Sequence, residues 1–464
     1  MKAQKNTLSY TDLIANTHLQ PGTPILFAHF PADGHFNPLT SLAVHLKNIG
    51  CDVRWYTSPL YAEKVKKLGM PYYLFHKAKD VNASNIDEVF PERVNYKSQV
   101  SKLKFDMIHA FVLRSPEYYE DIRELKRTFN FAVMICDNAF GGIPFVREKL
   151  HTPVIAISIL PLVETSKDLP PAGLGITPSS SLWGRRKQDL LRYVADKFLF
   201  AQPVKVMQGI LRNYGIEPGN WNIFDILLKK ADLVLQSGTP GFEYERSDLG
   251  ANIHFIGPLL PYAQKRTRTP WFDERLNRYK KIVIVTQGTV EKDSEKIIVP
   301  TLEAFENTDT LVIATTGGSG TKELRERFPW DNLIIEDFVP FDDIMPYADV
   351  YITNGGYGGV LLGIQHGLPL VVAGVHEGKN EICARVGYFG LGINLKTEKP
   401  TVQKLKAAVE KVLADGTYGQ KVQKLKEEFS HYHPEELCAY YVSELLRESR
   451  KRTNLRYKKL QEAS

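Results

Sequence analysis

The chain has 464 residues, of which 43% are hydrophobic and 24% charged, with a formal net charge of +6. That length exceeds one ordinary core, so two domains are expected, and the composition excludes a disordered or fibrous protein. No segment reaches the roughly 20 apolar residues of a membrane helix, and the mild charge, part of it in the run Arg447–Lys459, reads as a solvated face rather than a nucleic-acid or acidic-lipid site.

Residues 1–20 read as a polar N-terminal tail without the apolar core of a signal peptide. Pro24–Phe30 is an apolar strand, and Pro38–Ile49 follows with Leu39, Leu42, Ala43 and Leu46 at helix spacing. Cys51–Tyr56, Phe131–Cys136 and Pro153–Ser158 are further strands, the grammar of a parallel sheet with crossover helices. Residues 168–184, rich in Pro, Gly and Ser, predict a loop, and residues 257–280 predict a linker. A second alternation then begins, with strands at 282–286, 310–315, 332–335, 350–352 and 370–373 and helices from about 402 to 446.

The fold class is therefore α/β: two doubly wound, Rossmann-like domains at 21–256 and 281–430, followed by a C-terminal helix and basic tail at 431–464. Ligands of such sheets bind beyond the carboxyl ends of the strands, so two facing domains predict one site in the cleft between them.

Three constellations carry chemistry. Ala32-Asp33-Gly34-His35-Phe36-Asn37-Pro38 follows the first strand. Gly34 suits a tight turn and Pro38 the first helical position, which puts the His35 imidazole at the mouth of the sheet as a candidate general base. Asp137 ends another strand, where its carboxylate can hold one imidazole nitrogen and stabilise the imidazolium. In the second domain the cluster Thr353-Asn354-Gly355-Gly356-Tyr357-Gly358-Gly359 lies between a strand and a helix. Glycines admit close backbone approach and a helix N-terminus favours an anion, so a phosphate is the natural occupant. Thr286-Gln287-Gly288-Thr289 and Thr315–Gly320 repeat the pattern.

Absences narrow the reading. No GxGxxG follows the first strand and no GxxxxGK[ST] loop occurs, so nicotinamide, flavin and P-loop sites are not indicated. No Asp-x-Asp pair is available for a diphosphate-bound metal, so leaving-group charge falls to amides and side chains. Cys51, Cys136, Cys383 and Cys438 form no CxxC pair, and so sparse a set fits a reducing, cytoplasmic setting.

Together these residues resemble the GT-B UDP-glycosyltransferase family of macrolide and flavonoid transferases over nearly the whole chain. Gly34-His35 with Pro38 resembles the family's catalytic histidine motif, and Asp137 the aspartate that partners it. Phe338-Val339-Pro340 is similar to the segment on which the nucleobase stacks, Thr353–Gly356 to the diphosphate-binding element, and Gly367-Leu368-Pro369-Leu370 to a strand entry. The strings 33–38 and 354–359 resemble most a bacterial group acting on flavonoids, some members of which use a rhamnose donor. The resemblance implies catalysis by His35 and Asp137. It implies donor contacts from Gly34, Gly288, Thr289, Phe338, Val339, Asn354, Gly355, Gly356, Tyr357, Gly358, Gly359, Lys379 and Asn380.

Departures gather at the donor site. Asn354 stands where the family has a histidine, Phe341 replaces a base-contacting glutamine, and Leu362 falls where many members place a ribose-binding glutamate. The acid–glutamine pair that grips hexose hydroxyls is replaced in Val375–Glu381, so a deoxysugar such as rhamnose fits.

The expected reaction is an inverting, metal-independent transfer from a UDP- or dTDP-sugar to a hydroxyl of a small aromatic acceptor. The nucleotide sugar is a co-substrate, and no cofactor is called for. Phe105, Phe111, Phe140 and Leu169 are candidates to line the acceptor pocket. Rival readings are a non-catalytic binding or activator protein and a nucleotide-sugar epimerase.

Overall fold

The structure, a computed structural model, describes residues 9–82, 84–263, 270–288 and 291–462. Seven parallel strands form the first sheet: β1 (Pro24–Ala28), β2 (Asp52–Thr57), β3 (Tyr72–Leu74), β4 (Val133–Asp137), β5 (Val154–Ser158), β6 (Leu233–Ser237) and β7 (Ile253–Gly257). Their order is β3-β2-β1-β4-β5-β6-β7. The second sheet contains β8 (Lys281–Thr286), β9 (Thr310–Thr315), β10 (Leu333–Glu336), β11 (Val350–Thr353), β12 (Leu370–Val372) and β13 (Gly392–Asn394), ordered β10-β9-β8-β11-β12-β13. Both sheets reverse direction beside their first strand, between β1 and β4 and between β8 and β11. That is the doubly wound plan, with a crevice at each reversal.

The strands are apolar throughout because both faces are covered. Ile25 and Phe27 enter one core with Val53, Ile135 and Ile157, whereas Leu26 and Ala28 enter another with Met134 and Ala156. Ile282 and Ile284 are likewise separated from Val283 and Val285 across the second sheet.

The structure revises several boundaries. The first helix begins at Asp33 and runs to Asn48, five residues before the predicted start, so Gly34 is helical and Pro38 lies inside. Proline removes one amide, and here the helix loses only the bond that would return to the Gly34 carbonyl. Residues 10–16 of the expected tail form a helix, capped by a reciprocal Ser9–Asp12 box and burying Leu13. The long helix Pro434–Glu462 returns to the first sheet, where Leu437, Cys438 and Val442 share a core with Leu13, Phe27 and Leu39. Among the described residues no helix is long and apolar enough to cross a membrane.

The two halves also meet through the segment after β6. Phe242 packs in the second half's core beside Tyr357. The Tyr357 hydroxyl donates to the Ser237 carbonyl at 2.8 Å, and the Gly241 N–H to Glu428 at 2.9 Å. Arg385, 3% exposed, pairs with Glu243 at 2.5 Å and Glu381 at 2.8 Å. Burial opposes its charge, and the two carboxylates with Tyr244 outweigh that, holding the guanidinium above its ordinary value.

Candidate active site

The reversal between β1 and β4 brings together residues 102 positions apart in sequence. His35 lies in the first turn of the helix that follows β1, and Asp137 is the last residue of β4. His35 Nδ1 lies 2.7 Å from Asp137 Oδ1. Asp137 is fully buried, and its carboxylate also accepts the Phe30 N–H at 2.7 Å and the Ala139 N–H at 2.9 Å. Three donors fix the carboxylate in place. A proton on Nδ1 facing it leaves the lone pair on Nε2, the arrangement of an oriented base.

Sequence reasoning missed the layer beneath. His29 is wholly buried among Phe36, Trp55 and Tyr61. Its Nδ1 lies 2.8 Å from the Phe30 carbonyl and its Nε2 2.9 Å from the Thr57 hydroxyl. Burial pushes its pKa down to about 4, so the imidazole is neutral and donates through Nδ1 while accepting from Thr57. His29 thereby grips the carbonyl of Phe30, whose N–H supports Asp137. Only its burial distinguishes it from His35, six residues on.

Phe30 also builds a wall beside the pair. Its ring meets His35 edge-on at 5.3 Å and stacks on Phe111 at 4.1 Å with 13° between planes. Phe111, an acceptor candidate, is thus separated from His35 by the Phe30 ring. The other three are core. Phe140 is fully buried against Tyr56 and Tyr118, Phe105 packs with Val81 and Phe90, and Leu169 is 6% exposed. Aromatic and leucine side chains here fill space under the surface rather than line an opening.

At the second reversal, Gln287-Gly288 follows β8 and Asn354-Gly355-Gly356 follows β11. Gly288 and Gly355 have φ of 76° and 79°, and a Cβ on Gly355 would stand 2.3 Å from the Cys383 sulfur. Glycine is required there by conformation and by space. The helix Tyr357–His366 starts at Gly356 without a side-chain cap, leaving its first amides for another acceptor. A Cβ on Gly358 would meet nothing within 4 Å, so that end of the helix is open. Phe338 is 67% exposed after β10, with its ring 3.8 Å from the position of a Cβ on Gly318.

Several predicted donor contacts have other partners. Asn354 donates to the Gln287 carbonyl and accepts the Gly356 N–H at 3.3 Å, so it fastens the two turns together and retains one amide hydrogen. Tyr357 is spent on the contact with Ser237, and Val339 is buried in the core. Lys379 pairs with Glu377 at 2.6 Å. Asn380 donates to the Gly173 carbonyl at 2.8 Å, while Glu381 accepts the N–H groups of Gly173 and Gly175 at 2.9 and 2.8 Å. The 168–184 loop is thus tied to the helix Lys379–Phe389 across the cleft. Gly34 and Gly359 lie in the first turns of their helices, and Thr289 falls outside the described residues. A separate recess of about 310 Å³, lined by Arg147, Asp232 and Glu444, sits at the amino end of β6, the opposite edge from His35.

Comparison with known proteins bears on the family and the fold. The family described as Erythromycin biosynthesis protein CIII-like, C-terminal domain, matches residues 300–443. The 4'-demethylrebeccamycin synthase of Lentzea aerocolonigenes is 32% identical over 410 residues, 88% of this chain and 96% of that protein. UDP-glycosyltransferase 2 of Phaeomoniella chlamydospora is 28% identical over 423 residues, 87% and 92% of the two chains. The crystal structure of CalG4, the calicheamicin glycosyltransferase, shares the fold with a TM-score of 0.70 at 20% identity, covering 91% of this chain and 98% of that one. With both crevices in place and a relative matched along almost its full length, the chain belongs to the GT-B UDP-glycosyltransferase family, enzymes that transfer a sugar from a nucleotide donor.

Proposed function

We propose that this glycosyltransferase moves a deoxyhexose, rhamnose in the first instance, from a UDP or dTDP donor to a hydroxyl of a small aromatic acceptor such as a flavonoid, with inversion. The His35–Asp137 pair at 2.7 Å is the observation that carries the reading. His35 Nε2 takes the acceptor proton and Asp137 stabilises the imidazolium. The acceptor oxygen bonds to the anomeric carbon as the bond to the diphosphate oxygen breaks, and a single displacement inverts that centre. The nucleoside diphosphate leaves toward the Gly355-Gly356 turn, where the uncapped helix N-terminus meets its charge. The first half then holds the acceptor and the second the donor, with Phe338 as the platform for the base.

The aromatic wall of Phe30 and Phe111 beside His35 supports a flat acceptor, and a phenol with pKa near 10 gives up its proton more readily than an alcohol. The deoxysugar rests on the 375–381 stretch. Glu377 is paired with Lys379, and Glu381 with Arg385 and the glycine amides, so these carboxylates are engaged by protein groups rather than by sugar hydroxyls.

The test is transfer to a flavonoid mixture, read by mass spectrometry, with UDP-glucose, UDP-galactose, UDP-rhamnose and dTDP-rhamnose supplied separately. Product with rhamnose alone is expected. Product with glucose overturns the reading of residues 375–381. No product with any donor, alongside measured nucleotide binding, overturns the flavonoid acceptor.

A further inference from the structure

The helix Leu182–Val194, with the π-helical segment Ala195–Phe200 that continues it, wears its polarity inside out. The buried side of Leu182–Val194 is polar, whereas Ala195–Phe200 buries Ala195 and Phe200 in an apolar core. Gln188 is 3% exposed, accepts the Ser179 N–H at 2.6 Å and donates to the Asp168 carbonyl at 3.1 Å. Arg192 turns to the same side, donating to the Leu169 and Lys167 carbonyls and pairing with Asp189. The outer side holds the large apolar groups: Leu182 is 82% exposed, Trp183 80%, Phe198 68%, Leu190 61% and Tyr193 58%. A surface helix normally turns its apolar stripe to its own core, and lone exposed leucines are ordinary, but a continuous apolar arc marks a binding face.

The charges on that arc have one sign. At 100° per residue, positions 182, 183, 186, 187, 190, 193 and 194 share one half of the α-helix, and the π-helical segment continues it with exposed Lys197 and Phe198. Arg186 and Lys187 stand among the apolar side chains there and Lys197 reaches back to Tyr193, whereas Asp189 lies on the other half. Arg186 sits over the Trp183 ring at 5.6 Å and Lys197 over Tyr193 at 5.7 Å. The neighbouring helix Gln99–Asp106 lies against Ala195–Phe200 and adds exposed Val100 and Leu103. Aromatic rings and long cations on one face, without a carboxylate, match the boundary of an anionic bilayer: rings and aliphatic groups enter among the headgroups while the cations meet lipid phosphates. A second copy fits poorly, because twofold pairing would oppose the patch to its own cations.

We propose that this face docks the enzyme reversibly on anionic lipid surfaces, with Trp183, Leu190 and Phe198 entering the interface and Arg186, Lys187 and Lys197 holding phosphates. It is a peripheral contact, independent of the acceptor and donor assigned above.

The test is flotation of the full chain with vesicles of phosphatidylcholine alone and of phosphatidylcholine with one-third phosphatidylglycerol. Binding to the mixed vesicles is expected, and it weakens with salt as the screening length falls from about 10 Å at 0.1 M to about 3 Å at 1 M. Arg186→Gln/Lys187→Gln/Lys197→Gln should lower partitioning on the order of 100-fold, at about fivefold per cation. Trp183→Ser/Phe198→Ser should lower it by at least about tenfold. Both variants change exposed side chains and should keep the wild-type melting temperature. The proposal fails if the wild type does not float with mixed vesicles, or if folded variants float as well as it does. It also fails if the wild type is a dimer that the variants dissociate, which would make the face an interface between copies.

Discussion

Asparagine at position 137 tests the base assignment with the smallest change of shape. The carboxylate faces three donors: His35 Nδ1 at 2.7 Å and the Ala139 N–H at 2.9 Å on one oxygen, and the Phe30 N–H at 2.7 Å on the other. An asparagine offers one acceptor and one NH₂, so in either orientation an N–H confronts a donor. With its oxygen toward His35, the NH₂ meets Phe30. Flipped, it forces Nδ1 to accept, moves the ring proton to Nε2 and abolishes the base. The charge that stabilises imidazolium is lost in both cases.

General acid–base assistance contributes about 10²–10⁴-fold, so kcat should fall on the order of 10³-fold, about 4 kcal/mol in the barrier. The stranded donor should cost about 1–3 kcal/mol of stability. The assay is the initial rate at saturating donor and acceptor, beside nucleotide affinity by calorimetry. Affinity should hold, because the phosphate-binding turns assigned here lie in the other sheet. The rate deficit should shrink for phenols of lower pKa, which need less help to ionise. A folded Asp137→Asn enzyme turning over at the wild-type rate refutes the reasoning.

Other expectations follow from single residues. Phe338→Ala should weaken nucleotide binding about 10- to 100-fold, the worth of a stacked base, while leaving the melting temperature unchanged because the ring is exposed; unaltered affinity by calorimetry removes Phe338 from the site. Arg385→Met removes the nearer guanidinium from buried Glu243, leaving it Arg246 at 3.6 Å and the Leu162 and Tyr244 N–H groups, and should cost about 1.5–3 kcal/mol in chemical denaturation. Adding Glu243→Gln should recover part of that, and a single variant as stable as the wild type would show that the pair carries no such burden. His29 has a folded pKa near 4 against an ordinary 6.5, so the fold favours the neutral ring. The stability it contributes is complete above pH 6.5 and is lost as pH falls toward 4, by up to about 3 kcal/mol. Melting curves at pH 7 and 4.5 should show a steeper loss for the wild type than for His29→Gln, and equal slopes would contradict the burial argument.

Much of the plan was legible from local signals. Central strands such as β4 and β5 are uninterrupted apolar runs because helices cover both their faces, and the glycines at 355 and 356 announce a turn that a side chain would block. The strands β3, β6, β7 and β13 went unread: β3 and β13 are three residues long, β7 is a half-buried edge strand, and β6, though buried, ends in Gln236 and Ser237. The early start of the first helix was hidden by Pro38, which lies inside it.

By itself the sequence determined the doubly wound class, the three glycine-bearing turns that follow strands of the second half, and the placing of His35 and Asp137 just beyond and at the ends of two strands. These follow from periodicity and turn stereochemistry, which act over a few residues. Tertiary structure alone decided which polar groups were already engaged. Asn354 meets a carbonyl 67 residues away and Asn380 one 207 residues away. Tyr357 reaches across 120 residues to the other half, and three of the four acceptor candidates disappear into cores. A side chain's partner is set by the path of the whole chain, because burial obliges each polar group to bond to whatever the fold brings within reach.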